Sequence, residues 1–257
     1  MYQVDAFTDT LFRGNPAAVC PLEEWLPDAL MQQIAMENNL SETAFFVARG
    51  DRFAIRWFTP ALEVDLCGHA TLATAYVIFR FMRPDADSIE FDSRSGVLGV
   101  SRSGELLTLD FPVDTVSRTQ PREDLAQALG AWPLEFHRGR TDYFLVYGSQ
   151  QDIEAMTPDF ALLSQVPARG IIVTARGQDA DFVSRFFAPQ SGVPEDPVTG
   201  SAHTSLTPYW AARLGKSELT AMQLSSRRGW LRCSLAGDRV RISGQARLYL
   251  TGEIETA

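Results

Sequence analysis

The stretch that decides the fold reads RFFAP at residues 185–189 and EDPVTGSAH at residues 195–203. The first segment is typical of a β-strand that ends at Pro189, because phenylalanine favours strands and proline cannot continue a strand ladder. The second segment is an acidic loop that leads into Thr199-Gly200-Ser201, where a helical pattern opens. Uncovered backbone N–H groups at a helix start favour a bound anion, and the carboxyl of Asp196 lies just upstream. The stretch therefore predicts a functional site.

A matching stretch, RWFTP, occupies residues 56–60, at an offset of 185 − 56 = 129 in a chain of 257 residues. After Pro60 come an acidic loop, the segment Cys67-Gly68-His69-Ala70-Thr71, and a helix pattern of small residues that ends near Phe81. Strand, proline, acidic loop and glycine-containing helix start thus occur twice, half a chain apart. A repeat of this length indicates duplicated domains, because the repeats of a solenoid are roughly 20–50 residues long.

The other patterns along the chain predict an α+β fold in which each half is a mostly antiparallel sheet that covers one principal helix. Alternating hydrophobic runs bounded by turns predict strands, and a run at helical spacing predicts a short helix at residues 123–129, stopped by Gly130. We place one repeat domain at residues 1–115 and a second at residues 116–257, with a polar, proline-bounded linker at residues 112–121. The sequence leaves open whether the C-terminal strand crosses back to the first domain.

The composition, with 45% hydrophobic and 21% charged residues, is typical of a globular protein with a sizeable core. A net charge of −9 and the lack of a Lys/Arg run argue against a nucleic-acid or membrane partner. Three widely spaced cysteines, Cys20, Cys67 and Cys233, indicate a reducing compartment. There is no signal-peptide pattern, and the longest apolar run, Leu72 to Phe79, is too short to span a bilayer. We expect a cytoplasmic protein.

Five ionisable side chains lie near junctions between turns and regular elements: Glu42, Asp65, His69, Asp196 and His203. No clustered Cys/His pattern and no glycine-rich nucleotide loop is present, so we expect neither a metal site nor a cofactor. Acid–base chemistry remains. Glu42 lies between Leu40 and the strand pattern Ala44-Phe45-Phe46, and a carboxyl that is partly buried among apolar residues has a raised pKa and can exchange a proton near neutrality.

Four motifs, in order along the chain, resemble the phenazine-biosynthesis PhzF-like isomerase family. They are GNPA at residues 14–17, NLSET at 39–43, FTP at 58–60 together with CGHAT at 67–71, and EDPVTGSA at 195–202. The match covers essentially the whole chain. The resemblance implies the diaminopimelate epimerase-like fold, which has two pseudo-symmetric domains, each a mostly antiparallel curved sheet wrapped around a central helix.

The resemblance also implies roles for individual residues. Glu42 would be the proton shuttle, and His69, Asp196 and Ser201 would line the same interdomain cleft as catalytic residues. Substrate would be held, largely through backbone N–H groups, by the residues Asn15, Ser41, Gly68 and Gly200. The implied function is a cofactor-independent isomerase that moves a proton within a small, anionic, often carboxylated metabolite. The sequence does not decide the oligomeric state, and a homodimer is one of the open alternatives.

Two other functions stay open at this point. Cys67 occupies the place where diaminopimelate epimerases keep one of two catalytic thiols, so a racemase or epimerase that uses this thiol is one alternative. The second half has no matching cysteine, which argues against a two-thiol mechanism. The other alternative is a ligand-binding or interaction protein that keeps the fold without catalysis. We expect His203 to be a packing or surface residue, and Ser201 has a competing interpretation as a helix cap. The sequence does not name the substrate or the pathway.

Overall fold

The structure is a computed structural model that describes residues 1–256. It contains two compact units. The first comprises Met1–Asp110 together with the segment that begins at Ser243, and the second comprises Phe111–Ile242. The division that we drew after residue 115 placed this last segment in the second domain. In the structure it lies with the first unit, because the final strand pairs with the first strand of the chain.

The strands are numbered in chain order. They are β1 (Tyr2–Ala6), β2 (Asn15–Leu22), β3 (Glu42–Arg49), β4 (Arg52–Phe58), β5 (Glu63–Val64), β6 (Ser88–Ser93), β7 (Gly96–Ser103), β8 (Leu106–Pro112), β9 (Ser117–Arg118), β10 (Glu135–Arg138), β11 (Asp142–Val146), β12 (Gly170–Arg176), β13 (Phe182–Ala188), β14 (Val193–Glu195), β15 (Glu218–Gln223), β16 (Gly229–Ala236), β17 (Arg239–Gly244) and β18 (Ala246–Thr251).

The α-helices are numbered in the same way. They are α1 (Asp28–Asn38), α2 (Gly68–Val77), α3 (Glu123–Leu129), α4 (Gln150–Glu154), α5 (Phe160–Leu163) and α6 (His203–Leu214). A π-helical turn at Ile78–Met82 extends α2, and a 3-10 turn at Gly200–Ala202 leads into α6. No helix among the described residues is long and apolar enough to cross a membrane.

In the first unit, neighbouring strands form a mixed sheet in the order β18, β1, β2, β3, β4, β6, β7 and β8. The pairs β2–β3 and β4–β6 are parallel, and the other pairs in this series are antiparallel. Strand β5 folds back on the end of β4 and leads into α2. The sheet is therefore mostly antiparallel, as predicted.

Helix α2 is the central helix of this unit. Nine of its ten residues are buried, and it lies against β1, β2, β3 and β18. Its side chains are mostly small, which lets strands approach it on several sides. The buried hydroxyls of Thr71 and Thr74 donate to the carbonyl groups of Cys67 and Ala70, so the helix satisfies its own polar side chains.

The second unit repeats this plan. Its strands follow the order β9, β10, β11, β12, β13, β15 and β16, with parallel pairs at β11–β12 and β13–β15. Strand β14 folds back on β13 and leads into α6, as β5 leads from β4 into α2. The order of parallel and antiparallel strand pairs is thus the same in both units. The predicted α+β fold with two repeated halves is confirmed.

The predicted linker at residues 112–121 differs from the structure. It contains strand β9, which pairs with His137 and Arg138 of β10. A strand of two residues is too short for an alternating pattern to reveal it. Asn15, which the resemblance assigns to substrate binding, is the first residue of strand β2 and lies in the sheet.

An ion pair occurs at the same place in both repeats. Arg56 on β4 donates two hydrogen bonds of 2.7 Å to the carboxylate of Glu63 on β5. Arg185 on β13 donates hydrogen bonds of 2.7 and 2.9 Å to the carboxylate of Glu195 on β14. All four side chains are largely buried, and each pair fixes the short strand that leads to a site helix.

We expect the replacement Arg185→Met to lower the free energy of unfolding by about 3 kcal/mol, because it leaves the carboxylate of Glu195 partly buried without its partner. It also removes hydrogen bonds from Arg185 to the carbonyl groups of Ile153 and Met156. Urea unfolding of both proteins measures the loss. The matched control is Arg52→Met, which breaks an exposed pair with Glu90 and should cost less than about 1 kcal/mol. Equal losses in the two variants would contradict a structural role for the repeated pair.

Candidate active site

Glu42 is the first residue of β3 and follows the turn that ends α1. Asn39 ends that helix in the left-handed conformation, with φ 49°, and the Asn38 amide donates to the Thr43 hydroxyl at 3.1 Å. These contacts set the point at which β3 begins beside β2. The Glu42 side chain is 16% exposed, so its carboxylate is largely buried but still reaches solvent.

The structure brings three of the predicted site residues together in the first unit. His69, near the start of α2, is buried, and its Nε2 lies 3.1 Å from Glu42 Oε2. Its Nδ1 lies 3.1 Å from Nδ2 of Asn15, the first residue of β2. The Cys67 Sγ is 3.5 Å from the same Nδ1. One imidazole ring therefore links β2, β3 and the start of α2.

The protonation of this cluster follows from burial and neighbouring charge. Burial, together with repulsion from Glu42, raises the pKa of the Cys67 thiol to about 11. Burial disfavours a charged imidazole, but the neighbouring acids Cys67 and Glu42 outweigh this and raise the pKa of His69 well above its ordinary value. His69 is thus suited to hold a proton next to the Glu42 carboxylate, whereas Cys67 is a neutral thiol near pH 7.

The Glu42 atom that faces His69 has an unusual environment. Oε2 is buried and accepts no hydrogen bond of normal geometry, although Nε2 is only 3.1 Å away. Buried carboxylate oxygens usually accept hydrogen bonds, so Oε2 of Glu42 is an exception that the fold itself leaves without one.

The two remaining predicted residues of this unit adjoin the cluster in sequence. Ser41 precedes Glu42 and Gly68 precedes His69. Gly68 is the first residue of α2, and the Cys67 side chain that precedes it does not cap the helix. Backbone N–H groups in such a first turn are suited to bind an anion.

In the second unit, Asp196 lies in the loop after β14. Its carboxylate accepts a 2.5 Å hydrogen bond from the Thr199 hydroxyl, and its backbone N–H donates to the carbonyl of Phe186 at 3.0 Å. The fully buried side chain of Gln223 on β15 fixes this loop further. It donates to the Asp196 carbonyl at 2.8 Å and to the Thr199 hydroxyl at 3.1 Å, and accepts from the Thr199 N–H at 2.8 Å.

Ser201 is not a helix cap. Its hydroxyl accepts a 2.9 Å hydrogen bond from Nη1 of Arg169, and neither the 3-10 turn nor α6 has a side-chain cap. The rest of the Arg169 guanidinium binds both oxygens of the buried Asp142 carboxylate. Gly200 is the first residue of the turn and is buried. A half-exposed arginine held in one orientation beside Ser201 is suited to bind a carboxylate.

Sequence reasoning missed Arg169, Asp142 and Gln223. For Gln223, the only signal in the sequence was a glutamine at the end of a strand. The arginine and the aspartate had none, because they lie 27 residues apart and meet through the parallel pair β11–β12.

Two of the five ionisable candidates have other roles. Asp65 is exposed and lies 3.8 Å from Arg94. His203 is fully buried, its Nδ1 lies 2.8 Å from the carbonyl oxygen of Thr199, and its ring packs near Phe182. Burial lowers the pKa of His203 to about 4, so the ring is neutral near pH 7 and donates its Nδ1–H to that carbonyl. His203 is therefore a packing residue.

Comparison with known proteins identifies the family. A family model described as phenazine biosynthesis-like protein matches residues 4–252. The chain belongs to this family. Two Pseudomonas aeruginosa members, each named an uncharacterized isomerase, are 52% and 55% identical to it, covering 99% and 98% of this chain and 98% and 97% of their own.

A solved structure gives the same result. The crystal structure of a phenazine biosynthesis protein of the PhzF family from Enterococcus faecalis is 48% identical in sequence, with a TM-score of 0.96. The likeness covers 99% of this chain and 98% of that one. The protein is thus an isomerase of the phenazine biosynthesis-like family, and the alternative of a non-catalytic binding protein is set aside.

The neutral state of His203 predicts a pH dependence of stability. The pKa is about 4 in the folded isomerase and about 6.5 when the chain is unfolded, so between these values the unfolded state binds more protons. His203 therefore contributes stability that is fully present above pH 6.5 and is lost, by roughly 3 kcal/mol in total, as the pH falls to 4. We expect His203→Asn to flatten this part of the stability profile, as measured by urea unfolding at several pH values. An unchanged slope in the variant would show that another group causes the acid sensitivity.

Proposed function

We propose that the protein is a cofactor-independent isomerase in which Glu42 moves a proton within a small, anionic metabolite. The observation that carries this proposal is the contact between Glu42 and His69. A carboxylate that is largely buried, 3.1 Å from a buried histidine, and with one oxygen free of a normal hydrogen bond has the features of a general acid–base group.

The chemistry assigns one role to each group. The Glu42 carboxylate accepts a proton from a carbon atom of the substrate, and the electrons of the broken C–H bond move into a neighbouring unsaturated or carbonyl group. The resulting carboxylic acid returns the proton to another carbon, which completes the isomerisation. His69 lies behind Glu42 and is buried, so it acts through the carboxylate by orienting it and setting its charge. This transfer needs no electron or group carrier, which is why we propose that it is independent of a cofactor.

The helix start in each unit has groups that favour an anion. The first-turn N–H groups near Gly68 and Gly200 favour negative charge, both in a bound carboxylate and in the enolate-like intermediate that forms after proton loss. Arg169 adds a fixed cation beside Ser201 in the second unit. That Asp196 and Ser201 act on the same substrate as Glu42 stays a prediction from the sequence, as do homodimer formation and the cytoplasmic location.

The replacement Glu42→Gln tests the proposal. It keeps the size of the side chain and removes the proton-accepting oxygen, so we expect the rate to fall by about 10²–10⁴-fold or more while the protein stays folded. The measurement is NMR of small carboxylated metabolites incubated with the enzyme in heavy water, where proton transfer appears as loss of a C–H signal and growth of an isomer.

The matched control is Glu37→Gln, which changes an exposed carboxyl on α1 and should leave the rate unchanged. Exchange at near wild-type rate in Glu42→Gln would show that another residue carries the proton. Equal losses of exchange rate in Glu42→Gln and Glu37→Gln would indicate a general effect of the protein's net charge.

A further inference from the structure

The cluster in the first unit contains a thiol, that of Cys67, which the proposed reaction does not use. Glu42, Cys67 and His69 each present an atom that can bind a metal ion, and these atoms all lie within 4.8 Å of one another. Residues 1–256 contain no other compact group of three such donors. The usual sequence spacing of metal ligands is missing, because Glu42 is 67 − 42 = 25 residues upstream of Cys67 and 69 − 42 = 27 residues upstream of His69. Sequence reasoning therefore did not find this set of three residues.

The distances suit a tetrahedral metal ion. Typical bonds of Zn²⁺ to sulfur, imidazole and carboxylate place two ligand atoms about 3.3–3.6 Å apart at the corners of a tetrahedron. Here, Nε2 of His69 and Oε2 of Glu42 are 3.1 Å apart, and the Cys67 Sγ is 4.0 Å from the same Nε2. All three atoms lie within 4.8 Å of one another, so the Cys67 thiol has to approach the other two ligands for all three to bind one ion.

Two further features favour an ion at this point. Glu42 Oε2 is close to Nε2 without accepting a normal hydrogen bond from it, which is the relation between two ligands of one ion. Asn15 contacts the other ring nitrogen, Nδ1, and so orients the ring with Nε2 toward the carboxylate.

We propose that Zn²⁺ binds to Glu42, Cys67 and His69 and inhibits the isomerase. Binding releases two protons to solvent, one from the Cys67 thiol as the Zn–S bond forms and one from Nε2 of His69 as the Zn–N bond forms. The Glu42 carboxylate supplies the third ligand atom, and water takes the last of four positions. Thiolate and imidazole ligands select Zn²⁺ over Mg²⁺ and Ca²⁺, which prefer oxygen. The inhibition rests on the proposed function, because it requires that Glu42 be the proton carrier. The binding of Zn²⁺ does not depend on that role of Glu42.

Binding is tested first, without any substrate. Metal-free protein is titrated with Co²⁺, whose bond to a thiolate gives a near-ultraviolet absorption band, and Zn²⁺ is then added in competition with a chromophoric chelator. We expect one ion per chain, and a loss of affinity of at least about 10–100-fold together with the band in Cys67→Ala. Cys67→Ser provides the same test if the alanine variant does not fold.

The matched control is Cys20→Ala, which removes another buried thiol of the same unit and should leave Zn²⁺ affinity unchanged. Undiminished affinity in both Cys67 variants, or an equal loss in Cys20→Ala, would overturn the proposed site.

Inhibition is tested with the heavy-water exchange assay. Zn²⁺ should stop exchange by the wild type and by Cys20→Ala, and a chelator should restore it in both proteins. Binding without inhibition of an active enzyme would overturn the inhibitory part. If no metabolite is turned over at all, the proposed function fails while the spectroscopic result still decides the metal site.

Discussion

The buried imidazole of His69 is the constraint on which the candidate site depends. It lies at the start of a helix that is buried on nearly all sides, and its two nitrogens face groups from two different strands. A ring held in this way cannot move away from Glu42 without disturbing the packing of α2 against β2 and β3. The position of the Glu42 carboxylate is thus set by the core of the first unit and not by a flexible loop, and a site with fixed geometry requires such support.

The duplication explains why the two helix starts carry the predicted residues. In each half, an arginine on the strand binds a glutamate on the returning short strand, and the chain then enters a helix at a glycine. The halves have diverged in the residue that comes directly after this glycine. His69 pairs with a carboxylate, whereas Ser201 is bound by Arg169. One half therefore has an acid–base pair and the other has a fixed cation and a hydroxyl.

Much of the fold could be predicted from the sequence, because its signals are local. Helix α3 ends directly before Gly130, as this glycine predicted, and α6 ends directly before Gly215, which has a left-handed backbone. The candidate residues Glu42 and His69 were found through spaced motifs, but the sequence did not show that His69 lies buried behind the carboxylate. Arg169, Gln223 and the proximity of Cys67 to Glu42 depend on which strands become neighbours. Contacts of that kind are long-range, and no periodicity in a single sequence encodes them.

The central claim is that a single carboxylate carries the proton from one carbon to another. The most direct measurement uses a substrate that is deuterated at the carbon that loses its proton, converted in ordinary water in a single turnover. Mass spectrometry of the product then gives the fraction of deuterium at the new position. A single, largely buried carboxylate predicts that a measurable fraction of the deuterium is retained there. Product in which every new hydrogen comes from solvent would contradict this account and would indicate two separate groups, one that removes the proton and another that returns it.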